Sequence, residues 1–405
     1  MAVQIKRCDF SLANRLLRGR YTSAGPLAQL VEHRTFNPRV VGSSPTGPTT
    51  EHFSRRYDGS MASSHPLSTV TLAPPYLLFL GEETSPVYAK TAAGLAQWRP
   101  ELCAGQIRLP GGTVDLGLPT MTVAEAVQAG AKTLIIGTAP VGGAIPDRWL
   151  DVLVDALEGG LDIAAGVHKK LVDTPRLKEA AERNGQALID VRVPPKDLPV
   201  GTGTKRAGRR LLTVGTDCAL GKKYTALALE KEMASRGFSV DFRATGQTGI
   251  MIAGSGIPID AVVADFVSGA AEVLSPDAAD DHWDVIEGQG SIFHPGFAAV
   301  SMGLLYGSQP DAFVVCHEAG RTQIKGWDGF DLPSIDQVID RTIDIGRQVN
   351  PDIRCVGLSV NTSPLSSDDE RTAYLSDLSA HYGLPVVDPL FTGVAEIIDY
   401  VNTAP

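Results

Sequence analysis

Residues 211–230 read LLTVGTDCALGKKYTALALE: an apolar run, a loop that opens on Gly215 and closes on Gly221, and an amphipathic stretch. A strand that turns through glycines directly into a helix makes a cradle for phosphate. The glycines let backbone N–H groups converge on an anion, the helix N-terminus adds its dipole, and Lys222 supplies a full charge. Thr216 and Asp217 lie inside the loop. The spacing is one residue longer than the usual GxxxxGK[ST] pattern. The position after the lysine normally carries Ser or Thr, whose hydroxyl binds Mg²⁺. Here it is Lys223, an ammonium that cannot ligate a cation and favours phosphate held without metal. Thr225 lies further along the helix and stays a cofactor-binding candidate.

Such a loop belongs in a parallel sheet, and from about residue 76 the chain alternates short apolar runs with helical stretches. Buried parallel strands read this way when helices cover both faces. Before the loop, candidate strands lie at 76–81, 133–138, 163–168 and 187–192, separated by stretches such as VAEAVQAG and RWLDVLVDALEGG. The loop's own strand is 210–216, and further strands are expected at 240–246, 283–290, 312–317, 355–360 and 384–389. Two α/β domains follow, at 76–193 and 210–405, with a linker at 194–209 rich in Pro, Gly and basic residues.

In open parallel sheets, ligands bind beyond the carboxyl ends of the strands. Polar residues gather there: Arg243, Gln247 and Thr248 in RATGQTG, Glu287 and His294 in EGQGSIFH, and His317, Glu318, Arg321 and Lys325 in HEAGRTQIK. Asp265 and Asn361 occupy similar positions, the latter as a further cofactor-binding candidate. In the first domain His168, Asp190 and Arg192 either face the domain cleft or tie down the linker.

The net charge of −10 argues against a nucleic-acid or membrane-surface binder, which needs clustered positive charge. Five widely spaced cysteines without a CxxC pair argue against a disulfide framework or a zinc site, and for reduced thiols in a cytoplasmic protein. No run reaches the roughly 18 apolar residues of a membrane span. Segment 1–75 has no period, and LAQLVEHRTFNPRVVGSSPTGPT (27–49) fits neither helix nor strand. The codons open to this stretch permit every arm of a transfer-RNA cloverleaf in order, with TTT for Phe36 at the anticodon. It resembles a translated lysine tRNA gene. Residues 1–60 are therefore set aside from the fold, 1–75 is expected to be disordered, and Met61 is the expected start.

The GTD…GK form of the loop matches dethiobiotin-synthetase-like P-loop proteins. Longer runs point further: RATGQTGIMIAGSGIPIDAVVADFVSGAAE, IEGQGSIFHPG, HEAGR and GVHKKLVDTPRL…IDVRVPP. With these, residues 76–402 resemble the D-glutamate N-acetyltransferase-like family. The resemblance implies a Rossmann-like N-terminal domain, a P-loop NTPase-like C-terminal domain, and acetyl transfer from acetyl-CoA to the amino group of D-glutamate. The phosphates of CoA suit the loop and the Lys222/Lys223 pair. An ammonium must lose a proton before it attacks a thioester, so a base is needed; Glu287 and His294 are the candidates, with His317 third. The glycine-rich EGQG backbone would supply N–H donors to the thioester oxygen. Arg243 and Arg321 are the candidates for the substrate carboxylates, because a guanidinium fork fits a carboxylate. The partner expected is a small amino acid, and a homo-oligomer is compatible with the sequence. Two other readings stay open: an Mg·ATP-dependent ligase or kinase of dethiobiotin-synthetase type, and a nucleotide- or CoA-binding module without catalysis.

Overall fold

The computed structural model describes residues 69–138, 143, 145–167 and 169–403. The expectations placed on 1–68, including 27–49 and Met61, and on His168 lie outside the described residues, whereas 69–75, expected to be disordered with the rest of 1–75, hold a short strand at Val70–Thr71 paired with Ser255–Gly256. The chain first forms β1 (Val70–Thr71), β2 (Tyr76–Gly81), α1 (Lys90–Trp98), β3 (Cys103–Arg108), α2 (Val123–Gln128), β4 (Thr133–Ile136), α3 (Leu150–Glu158), β5 (Asp162–Ala165), α4 (Pro175–Asn184) and β6 (Leu188–Asp190). Strands β2 to β6 make a five-stranded parallel sheet in the order β3-β2-β4-β5-β6. Every residue of β2, YLLFLG, is buried, as expected of a strand covered on both faces.

Strand β3 was not among the runs expected from sequence. Its residues, CAGQIR, lack a continuous apolar run, and it lies at the sheet edge. Gln106 is nonetheless fully buried, because its amide donates to Asp115 and the Leu118 carbonyl and accepts from the Leu116 N–H.

The second half runs β7 (Arg209–Gly215), α5 (Lys222–Ser235), β8 (Val240–Arg243), α6 (Gln247–Ala253), β9 (Ser255–Gly256), α7 (Val267–Leu274), β10 (Trp283–Ile286), α8 (Ala298–Ser308), β11 (Ala312–Glu318), α9 (Ile335–Gly346), β12 (Arg354–Asn361), α10 (Asp368–Tyr382), β13 (Val386–Val387) and α11 (Ala395–Thr403). Its six parallel strands are ordered β13-β12-β11-β7-β10-β8. The chain leaves β7 toward one edge, returns through β10, and then builds the other side from β11. The loop after β7 therefore sits at the point where strand order reverses, the usual ligand crevice of such sheets. Strand β10 stops at Ile286, so Glu287–Gly290 form a turn rather than the strand extension expected to 290.

The segment between the sheets is strapped down. The N–H groups of Thr202 and Gly203 donate to Glu272, and the Arg206 guanidinium donates to the carbonyls of Ser275 and Gly307. Arg210, 1 % exposed, donates to the carbonyls of Arg206, Ala207 and Pro276 and to Ser275 Oγ. The sheets also share a core. One hydrophobic cluster contains Leu78, Leu80 and Ile135 of the first and Leu211, Val285 and Val314 of the second. Helix α1 packs on α6, and β1 pairs antiparallel with β9 across the two halves. The described residues fall in one compact unit. Among them no helix is long and apolar enough to cross a membrane.

Candidate active site

The loop leaves β7 at Gly215 and enters α5 through Gly221, whose φ of +103° explains why glycine stands there. Lys222 folds back over the loop, 7 % exposed, and its Nζ donates to the Asp217 carbonyl at 2.7 Å. Burial lowers its pKa. Asp217 is fully buried and organises the loop from beneath. It accepts from the Cys218 N–H, from Arg321 at 3.0 Å and from the Lys325 N–H at 2.9 Å.

Facing the loop is the turn after β10. Gly288 packs against the Thr213 carbonyl so closely that a Cβ would collide with it, and its N–H donates to Thr213 Oγ1. That donor is therefore committed, and only Gln289 and Gly290 of EGQG remain for a substrate oxygen. Glu287 is 4 % exposed. One of its oxygens, Oε2, accepts from the N–H groups of Thr245 and Gly246, each at 3.0 Å. Gly249 of α6 lies against the carboxylate with no room for a Cβ. Burial pushes the Glu287 carboxyl above the usual carboxylate range, opposed in part by those two N–H bonds and by the nearby Lys223. Lys223 lies over the Tyr224 ring, and its pKa is lowered by burial, with Glu287 acting to raise it and Lys90 to lower it.

These groups line a cleft of about 470 Å³ between the two halves. The second half contributes the loop from Cys218 to Tyr224, Gly246–Thr248, Asp260 and Glu287–Gly290; the first contributes Lys90 and Arg192. Four cations, Lys90, Arg192, Lys222 and Lys223, face two carboxylates, Asp260 and Glu287. A cleft that is net positive in a chain of net charge −10 concentrates anions.

Several expected residues lie away from this cleft. His294 is buried between Phe297 and Trp327, accepts the Gly296 N–H on Nδ1 and turns Nε2 toward Asp217 at 3.9 Å. Burial lowers its pKa, and its ring does not line the cleft. His317 pairs through Nδ1 with Thr216 Oγ1 at 3.1 Å, behind the loop, and burial lowers its pKa also. Arg243 pairs with Asp284 and Asp241, and Arg321 with Asp217 and Glu318, and neither lines the cleft. Thr225 points inward to Ser359 at 2.7 Å, and Asn361 donates to Glu318. Asp217, Cys218 and His294 lie close enough to share a metal ion; Asp217 Oδ1, the oxygen nearer His294, accepts the Cys218 N–H, while Arg321 and the Lys325 N–H hold Oδ2.

Residues 199–398 match a family model described as a P-loop domain of unknown function, DUF1611_C, and 108–194 match its Rossmann-like companion, DUF1611_N. A protein from Tritonibacter scottomollicae named D-glutamate N-acetyltransferase is 50% identical over 80% of this chain and 97% of its own length. The chain belongs to this family. A second relative of the same name, from a Pseudoalteromonas species, is 48% identical over 81% of this chain and 98% of its own. A crystallised member from Anabaena variabilis, 32% identical, superposes with a TM-score of 0.70 over 82% of this chain and 99% of that one. The Rossmann-like and P-loop assignments expected from sequence agree with these matches and with the two parallel sheets.

Proposed function

We propose that the chain is an N-acetyltransferase that moves the acetyl group of acetyl-CoA to the amino group of D-glutamate. The carrying observation is Glu287: a buried carboxylate with a raised pKa, set in the wall of a cation-rich cleft opposite a phosphate-type loop. Half identity to relatives of that name over nearly their whole length supports the reaction. The CoA phosphates meet the loop amides and Lys222. Glu287 takes a proton from the D-glutamate ammonium, which frees the lone pair to attack the thioester carbonyl carbon. The N–H groups of Gln289 and Gly290 receive the charge that develops on the carbonyl oxygen. Collapse breaks the C–S bond, and the second amine proton ends on the departing thiolate. A carboxylate whose pKa is raised serves this task better than an ordinary one, because it is the stronger base toward the ammonium proton.

The ATP-dependent reading asks for a hydroxyl on Mg²⁺, and the Thr225 hydroxyl is turned to Ser359 while Lys223 holds the Ser/Thr position. The binding-only reading gives no reason for a raised carboxylate at the cleft. The partner we infer is a small amino acid and the compartment the cytoplasm, a reading supported by the free thiols of Cys103, Cys218, Cys316 and Cys355. The test incubates the full chain with D- or L-glutamate and either acetyl-CoA or Mg·ATP. Thiol release with D-glutamate and acetyl-CoA, undiminished by EDTA, is expected. ADP release, or no thiol release with any D-amino acid, would overturn the reading.

A further inference from the structure

Two features of the cleft are unused by this chemistry: the cations contributed by the first half. Lys90 is the first residue of α1, and among the described residues it has no acidic partner within ion-pair distance. A 3₁₀ turn at Pro86–Ala89 leads directly into Lys90, and a lysine this close to a helix N-terminus opposes the helix dipole. Lys222 and Lys223 open α5 in the same unfavourable sense. Two helix starts, each carrying cations, thus face one cleft, and Lys90 and Lys223 repel each other across it. An anion between them removes both penalties.

The position of Lys90 is fixed. Its neighbour Thr91 hydrogen-bonds Thr248 of α6 at 3.2 Å, and Gly94 of α1 packs against Ile252 of α6. Helix α6 also carries Gly249, which touches Glu287. A packed connection therefore sets Lys90 relative to the base. Arg192 enters just after β6, and Asp260 meets it at 3.5 Å. This pairing is long for a bidentate fork, which leaves guanidinium N–H groups to spare.

Resting on the acetyltransferase reading, we propose that Lys90 and Arg192 are the acceptor's specificity residues. Lys90, with Lys223 opposite, holds the α-carboxylate next to the amine at Glu287. Arg192, steadied by Asp260, holds the side-chain carboxylate. The first half of the molecule is then the reader of a dicarboxylate amino acid, while the second half holds the acetyl donor.

The two roles separate in steady-state kinetics with acceptor and donor varied independently. Both side chains reach solvent in the cleft, so their removal spares the core. Loss of a charge-assisted hydrogen bond of about 1.5–3 kcal/mol corresponds to roughly ten- to a hundredfold in KM. Lys90→Ala should raise KM for D-glutamate and D-glutamine by about tenfold or more alike. Arg192→Ala should raise it for D-glutamate by a similar factor and leave D-glutamine nearly unchanged, so the preference between the two collapses. KM for acetyl-CoA should stay within about twofold in both, and Arg192→Lys should recover part of the D-glutamate loss. Calorimetric titration of N-acetyl-D-glutamate into each variant reads the same loss without turnover. If wild type turns over D-glutamate and the variants keep its KM, or if donor and acceptor KM rise together, the clamp is wrong while the reaction stands. If wild type itself releases no thiol and binds no N-acetyl-D-glutamate, the reaction reading fails with it.

Discussion

Glu287 combines two opposed influences: burial that favours its neutral form and two backbone N–H groups that favour its charge, with burial the larger. Its raised pKa fixes the sign of two measurements. As a base it acts only when ionised, so kcat/KM should rise with pH along a limb displaced above the ordinary carboxylate range. Glu287→Gln should remove that limb and lower turnover by about 10²–10⁴-fold. For stability, a carboxyl with a raised folded-state pKa contributes fully below its unfolded value, and the contribution is lost as pH rises through the folded value. The Tm of Glu287→Gln relative to wild type should therefore improve from acid to neutral pH; a gap that is constant with pH would contradict the burial argument. Arg243 gives the contrast. Its guanidinium is tied to Asp284, which is 1 % exposed and is also held by Ser275 Oγ and His282, so Arg243→Ala removes the charge-assisted bond of a buried carboxylate. A stability loss of about 2 kcal/mol with unchanged KM for both substrates is expected, checked by denaturant melts alongside kinetics.

At the level of elements, helix α6 shows how backbone shape serves chemistry. An exposed helix gains from alanine in place of glycine. At Gly249 the sign reverses, because a Cβ would strike the Glu287 carboxylate. Gly249→Ala should cost about 1–3 kcal/mol by overpacking and abolish thiol release, and a Tm equal to wild type would overturn this. The same scale explains what the sequence made legible. The loop from Gly215 to Lys222 could be read because its glycines, lysine and helix start are contiguous, and strands such as Tyr76–Gly81 could be read because two-sided burial demands an unbroken apolar run. Strand β3 escaped because a satisfied amide, Gln106, replaces an apolar side chain in its core position. Lys90 and Asp260 escaped because nothing local marks them; they meet the P-loop only through tertiary packing. His294, Arg243 and Arg321 misled because position at a strand end does not say which way a side chain turns. Each turned to a protein partner instead of the cleft.

At the largest scale, the described residues form one compact unit, because both sheets contribute side chains to a single hydrophobic cluster. The shared interior is reinforced by the β1–β9 pairing and by the ion pair at 3.0 Å between Arg99, just after α1, and Glu230 of α5. Heating should therefore give one cooperative calorimetric transition; two resolved transitions would show that the halves fold separately. The same casting has a consequence for inhibitor design. Both walls of the cleft are held by that shared core, so a single compound joining a phosphate-bearing arm to a dicarboxylate arm would spend little of its binding energy on reshaping its target. Tethering the two arms also turns the second encounter into an intramolecular one, and such a compound should bind far more tightly than either fragment alone.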